Sequence, residues 1–152
     1  MRKKIPEITI ATDIITGFPS ESERDFEETL NLIEESQPDV INSSKYSPRP
    51  GTVASKYPKV GTSIVKERST RLHDTIKKTS MTRNRMWNGW KGEVLIDEIL
   101  DNGKIQGRNY AYRPVILNLP GNQQFANQFL GHCLSVKVVK VSNYSLFGES
   151  IS

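Results

Sequence analysis

The sequence is poor in the residues that build metal and redox centres. Its 152 residues include one cysteine, Cys133, and two histidines, His73 and His132. A lone cysteine excludes an internal disulfide framework and a metal site made of cysteines alone. Cysteine and histidine together supply three side chains, one short of a tetrahedral zinc site. Long apolar runs are also missing, and none approaches the roughly eighteen residues of a membrane-spanning helix. No apolar stretch follows the basic start Met1-Arg2-Lys3-Lys4. A secretory leader is therefore not expected, and the chain reads as a soluble cytoplasmic protein. Aromatic residues make up only 8%. What is present suffices for a fold: 36% hydrophobic and 25% charged residues, with a mean hydropathy of −0.51. That is too apolar for a wholly disordered chain. The length suits one ordinary domain or two small ones.

The formal net charge is +4 and unevenly spread. Residues 1–60 hold 8 basic and 10 acidic side chains, residues 61–86 hold 7 and 2, and residues 87–152 hold 6 and 5. The positive excess therefore sits in one central segment. Such a stripe can attract a phosphate backbone, or it can be a solvated helix face.

Apolar periodicity divides the chain. Glu7 to Thr16 is rich in isoleucine and threonine and reads as a strand buried on both faces. Gly17-Phe18-Pro19 ends it. Ser20 with Glu23, and Ser22 with Asp25, both have capping-box spacing. Phe26, Leu30 and Ile33 then mark an amphipathic helix that closes before Pro38. Asp39 to Ser44 is a second strand, and Lys45 to Thr52 a proline-bound loop. Residues 7–52 thus read as a βαβ unit, whose ligands sit at the carboxyl ends of the strands. Residues 62–86 read as a long basic helix. Beyond Gly89, five short strands in about 65 residues suggest a small closed barrel of the oligonucleotide-binding kind, with Asp101-Asn102-Gly103 as a hairpin turn. The expected class is an α/β segment, βαβ plus long helix, followed by a small all-β barrel.

Few residues carry obvious chemistry. Asp13, inside an isoleucine-rich strand, either faces a barrel mouth or is hydrogen-bonded to a neighbouring strand; the second is the plainer reading. Cys133 reads as a buried packing residue, His73 as a surface residue and His132 as a strand start. The acidic cluster Glu21, Glu23, Asp25, Glu27 and Glu28 reads as a solvated helix start. No nucleophile–base pair is recognisable. The most suggestive set is Arg108, Asn109, Tyr110, Tyr112 and Arg113. Aromatic rings among guanidinium groups suit looped RNA, whose bases stack while its phosphates meet cations. A hairpin whose tyrosines cover the core is the competing reading.

Three segments together carry a family likeness. Thr12 to Leu30 (TDIITGFPSESERDFEETL) resembles TDIIVGFPGETEEDFEETL of the radical S-adenosylmethionine tRNA methylthiotransferases. Tyr46 to Ala54 (YSPRPGTVA) resembles that family's YSPRPGTPA, and Lys66 to Leu72 resembles its KERSRRL. Gly107 to Tyr112 and Leu146 to Glu149 fit its C-terminal TRAM domain, an RNA-binding β-barrel. The GRN-x-x-Y form is most similar to the archaeal and eukaryotic branch, which acts on threonylcarbamoyladenosine beside the anticodon.

The resemblance implies a division into residues 1–60, the end of the radical barrel; 61–86, a connecting helix; and 87–152, the TRAM barrel. It implies that Gly17, Phe18, Pro19 and Glu21 line the S-adenosylmethionine pocket, with glycine allowing close backbone approach. It places Arg49 at the same mouth, as a phosphate or cofactor contact or as a surface brace. Lys91, Arg108, Asn109, Tyr110, Tyr112 and Arg113 become the RNA-binding candidates, Arg108 foremost. The family's two 4Fe-4S clusters need three cysteines in an N-terminal domain and a CxxxCxxC motif. Neither set is in this sequence, so the cluster ligands are absent and the chain alone is expected to be inactive. The expected partners are tRNA and the missing N-terminal part of the enzyme, with no membrane. A stand-alone RNA-binding module is the alternative. Ser20 departs from the family's glycine. A single βαβ unit leaves strand edges open to self-association, so residues 1–60 are expected to be marginally stable alone.

Overall fold

The computed structural model describes residues 2–100, 103–118 and 126–151. The Asp101–Asn102 part of the expected hairpin turn lies outside them. Among the described residues the chain is α/β, with two α-helices and a five-stranded barrel. It divides into two compact units, residues 10–80 and residues 1–9 with 81–152.

The first unit is a βαβ arrangement. Strand β1 (Ala11–Thr16) and strand β2 (Val40–Lys45) pair in parallel, Ala11 opposite Val40 and Thr16 opposite Lys45. Helix α1 (Glu23–Ser36) connects them. Of the two expected caps, Ser22 with Asp25 forms: each side chain receives the other residue's backbone N–H. Ser22 also holds the Asp25 carboxyl below its ordinary pKa. Phe26 and Ile33 of α1 bury against Leu72 and Ile76 of helix α2 (Thr62–Arg85). Each such burial contributes roughly 1.5–3 kcal/mol.

Two expectations fail here. β1 is not buried on both faces: Ala11, Asp13 and Ile15 are exposed, because no further layer covers that side among the described residues. Asp13 accepts a 2.8 Å hydrogen bond from Asn42 on β2 in the open. Nor is the acidic start of α1 solvated throughout. Glu21, Glu23 and Glu27 pair with Arg68 and Arg71 of α2, so part of the basic stripe is taken up inside the unit. These two arginines also lie over the Phe26 ring, at 5.4 and 5.0 Å.

The second unit is built on strands β3 (Lys91–Ile99), β4 (Lys104–Arg108), β5 (Pro114–Asn118), β6 (Cys133–Val141) and β7 (Leu146–Ser150). They close in the order β3-β4-β5-β7-β6, with β5–β7 the one parallel pair. Alternate residues point inward, and Val94, Ile96, Ile105, Val115, Leu117, Val136, Val138 and Leu146 fill the core. Gly107 is inward as well. A Cβ there would lie 2.5 Å from the Leu95 carbonyl oxygen, a backbone atom that cannot yield. Bulges between Ile96 and Glu98, and between Val138 and Lys140, bend the long strands into closure. Cys133 begins β6 on the outside: it is exposed, not a core residue, because the pleat turns it away from the barrel interior.

Candidate functional site

The barrel's most developed surface lies around the turn between β4 and β5. Asn109 organises it. Its Oδ1 accepts from the backbone N–H of Ala111 (3.1 Å) and of Arg113 (2.9 Å), and its carbonyl accepts from Tyr112 N (2.8 Å). The turn forces Tyr112 to φ +61°, a left-handed conformation unfavourable for a bulky aromatic. Strain of this sort persists where surrounding structure imposes it, and it clusters at functional sites.

This geometry separates the RNA-binding candidates into two groups. Tyr110 and Tyr112 are 66% and 69% exposed. Arg108 lies 4.5 Å from the Tyr112 ring centre, and Asp97 holds its Nε at 2.7 Å. Asn109 and Arg113, also among the expected RNA contacts, are 5% and 3% exposed. Arg113 donates to Asn84 Oδ1 near the end of α2, and Asn84 Nδ2 donates to the Ser142 carbonyl at 2.7 Å. Both residues position the turn from inside. Lys91 is exposed at the start of β3, opposite Lys137 of β6. Like charges in register repel, so an anion nearby would favour this pair.

Sequence reasoning missed two features. The alternation of β3 places Glu93, Leu95 and Asp97 outward, where with Cys133 they complete a shallow groove beside the turn. That alternation was legible; the register that sets Cys133 opposite Leu95 was not. Residues 5–9 also pack on the turn: Tyr110 donates to Glu7, and Thr9 Oγ1 donates to the Ala111 carbonyl at 2.5 Å. The bond to Glu7, with some burial, pushes the Tyr110 phenol up to about 12. Trp87 and Trp90 support the Tyr110 ring from centre distances of 6.1 and 6.2 Å.

A second cleft lies at the carboxyl ends of β1 and β2, lined by Ile15, Phe18, Tyr46 and Arg49. Phe18 is exposed and meets Tyr46 edge-on at 5.2 Å. The other residues expected to line a cofactor pocket are engaged in the turn itself. Gly17 adopts φ +76°, and a Cβ there would lie 2.6 Å from Val65 of α2; that packing already requires glycine. Pro19 is buried. Glu21 accepts from Gly17 N at 2.9 Å and from Arg68 at 2.7 Å. Burial lowers the Arg68 pKa, but hydrogen bonds to Glu21 and Glu23 outweigh it and leave the guanidinium above its ordinary value. Ser20 sits at φ +73°, which accounts physically for a glycine in the resembled motif. Arg49 is exposed on the cleft wall.

The residues present do not fit an iron–sulfur cluster. The one cysteine is on the barrel's outer face, and among the described residues no three His, Cys, Asp or Glu side chains gather to hold a metal ion. Among the same residues, no helix is long and apolar enough to cross a membrane.

The fold and its surfaces define a βαβ segment joined to a five-stranded barrel that displays an arginine–tyrosine stack. Comparison with known proteins adds the lineage. The chain is 40% identical over 124 residues to a probable threonylcarbamoyladenosine tRNA methylthiotransferase of Pyrococcus abyssi, covering 82% of this chain and 29% of that protein. It is 34% identical over 154 residues to a tRNA-2-methylthio-N(6)-dimethylallyladenosine synthase of Clostridium botulinum, covering 99% of this chain and 33% of that protein. A solution structure of a conserved Methanococcus maripaludis protein aligns over 43% of this chain and 80% of its own length, with TM-score 0.34 and 22% identity. No family model matches. Over most of its length the chain's curated homologues are MiaB-like tRNA methylthiotransferases, and it spans about a third of the length of those it matches.

Proposed function

We propose that the chain is the C-terminal region of a tRNA methylthiotransferase that installs a 2-methylthio group on threonylcarbamoyladenosine beside the anticodon. In this reading residues 87–152 are the TRAM barrel that grips tRNA, residues 61–86 are the connecting helix, and residues 1–60 are the last part of a radical S-adenosylmethionine barrel. The observation that carries it is the half-buried Arg108 stacked on the exposed Tyr112 beside the exposed Tyr110, on a closed barrel whose curated relatives modify tRNA. A guanidinium on a ring offers a base a stacking platform and a phosphate a cation.

The two-stranded parallel sheet supports the same reading. Parallel sheets normally run to several strands with both faces covered, whereas here both outer edges are unpaired among the described residues. Further strands from the rest of the enzyme would complete it. Phe18, Tyr46 and Arg49 would then form part of the cofactor pocket's rim, while Gly17, Pro19 and Glu21 shape the turn that carries Phe18. Radical and iron–sulfur chemistry are features of the family, and a single cysteine assigns them to the part of the enzyme outside this chain. A tRNA-modifying role also fits a cytoplasmic location.

Titrating tRNA against the chain at rising salt tests the reading. Counterion release gives a log–log slope steeper than about −2 if several phosphates are neutralised. Arg108→Ala should weaken binding about tenfold, whatever the RNA sequence. A flat salt response, or no binding at low salt, refutes the reading.

A further inference from the structure

The groove beside the β4–β5 turn is built for a base rather than a phosphate. It offers one guanidinium, Arg108, and two carboxylates, Glu93 and Asp97. Arg108 already spends its Nε on Asp97. Glu93 is exposed and has no hydrogen-bond or ion-pair partner among the described residues. A phosphodiester entering here would meet an uncompensated negative charge. The floor is flat and apolar, with Leu95 and the rings of Tyr110 and Tyr112 all open to solvent.

The lining therefore sets an unused anionic acceptor, the Glu93 carboxylate, beside stacking rings. Cytosine and adenine match that pattern, because each carries an exocyclic amine that can donate to it. Uracil presents a carbonyl where the amine would be.

We propose that this groove is a slot for one unpaired nucleobase. It selects an amino-bearing base over uracil, with Glu93 accepting from the amine and Tyr112 stacking. The proposal rests on the RNA-binding reading above and adds a base preference to it.

The test compares short oligocytidine and oligouridine strands binding to the full chain. The two bases have the same ring size and backbone and differ at the 4-amino and 4-oxo groups, so the comparison isolates the amine. Oligocytidine should bind about tenfold tighter, the scale of one charge-assisted hydrogen bond. Glu93→Gln, an isosteric change at an exposed position, should bring the two strands within about twofold, since the new amide can donate to the 4-oxo group. If tRNA binds but the wild-type chain treats both strands alike, the slot is refuted while the RNA-binding reading stands. A cytidine preference that survives unchanged in Glu93→Gln refutes the role of Glu93. If neither tRNA nor either strand binds at low salt, both the slot and the reading beneath it fall.

Discussion

Gly17 shows how a motif residue can be held in place by packing alone. Its left-handed backbone and the 2.6 Å approach of Val65 would both penalise a side chain. Gly17→Ala should therefore lower unfolding stability by roughly 2 kcal/mol in urea titrations. Adding Val65→Ala should recover only part of the loss, since it relieves the contact but not the torsion. Full recovery would mean the backbone is unstrained. Tyr110 provides a spectroscopic check on the segment that packs beside it. Its folded pKa of about 12 lies above the ordinary 10 because the phenol is hydrogen-bonded to Glu7. This contact therefore stabilises the fold fully below pH 10 and fades as pH rises through the folded value. One tyrosine should ionise late in the ultraviolet phenolate titration of the wild type, and Glu7→Gln should move it back toward 10. A titration that Glu7→Gln leaves unchanged would contradict the contact.

Among the elements, α1 and α2 are tied by Glu21, Glu23 and Glu27 on one side and Arg68 and Arg71 on the other. Arg68→Ala leaves the nearly enclosed Glu21 carboxylate with only the Gly17 N–H. The expected loss is about 2 kcal/mol, below that of a fully enclosed pair because Glu23 keeps its carboxylate in water. Arg71 and then Arg68 hold the Glu23 pKa below its ordinary 4.5. A depressed carboxylate stabilises the fold fully above that ordinary value, and the contribution disappears as pH falls through the lower folded one. The urea midpoint should therefore drop on acidification below about pH 4.5, and by less in Arg71→Gln. The same elements show what the sequence could and could not tell. The cap at Ser22, the amphipathic stripe of α1 and the alternation of β6 are local patterns, readable because neighbours in sequence decide them. The pairing of the acidic cluster with α2 spans more than forty residues. The open face of β1 and the outward position of Cys133 likewise depend on what packs, or does not pack, on the strands. On the barrel, residue type pointed to Arg108, Tyr110 and Tyr112. Only the folded turn distinguished them from the buried Asn109 and Arg113.

At the scale of the whole molecule, two compact units have unequal completeness. The barrel closes its own hydrogen-bond ladder, while the parallel pair β1–β2 leaves both outer edges open among the described residues. In the proposed function, a complete barrel carrying Arg108 stacked on the exposed Tyr112 would let this chain bind RNA without the iron-bearing remainder of its relatives. Backbone amide NMR of the labelled 152-residue chain, with an anticodon stem-loop RNA added, tests that account most directly. The predicted result is a set of shifts centred on Leu95, Asp97 and residues 108–112, saturating with the RNA and weakening in salt. Shifts confined to α1 and β2, or a spectrum unchanged by excess RNA, would contradict it.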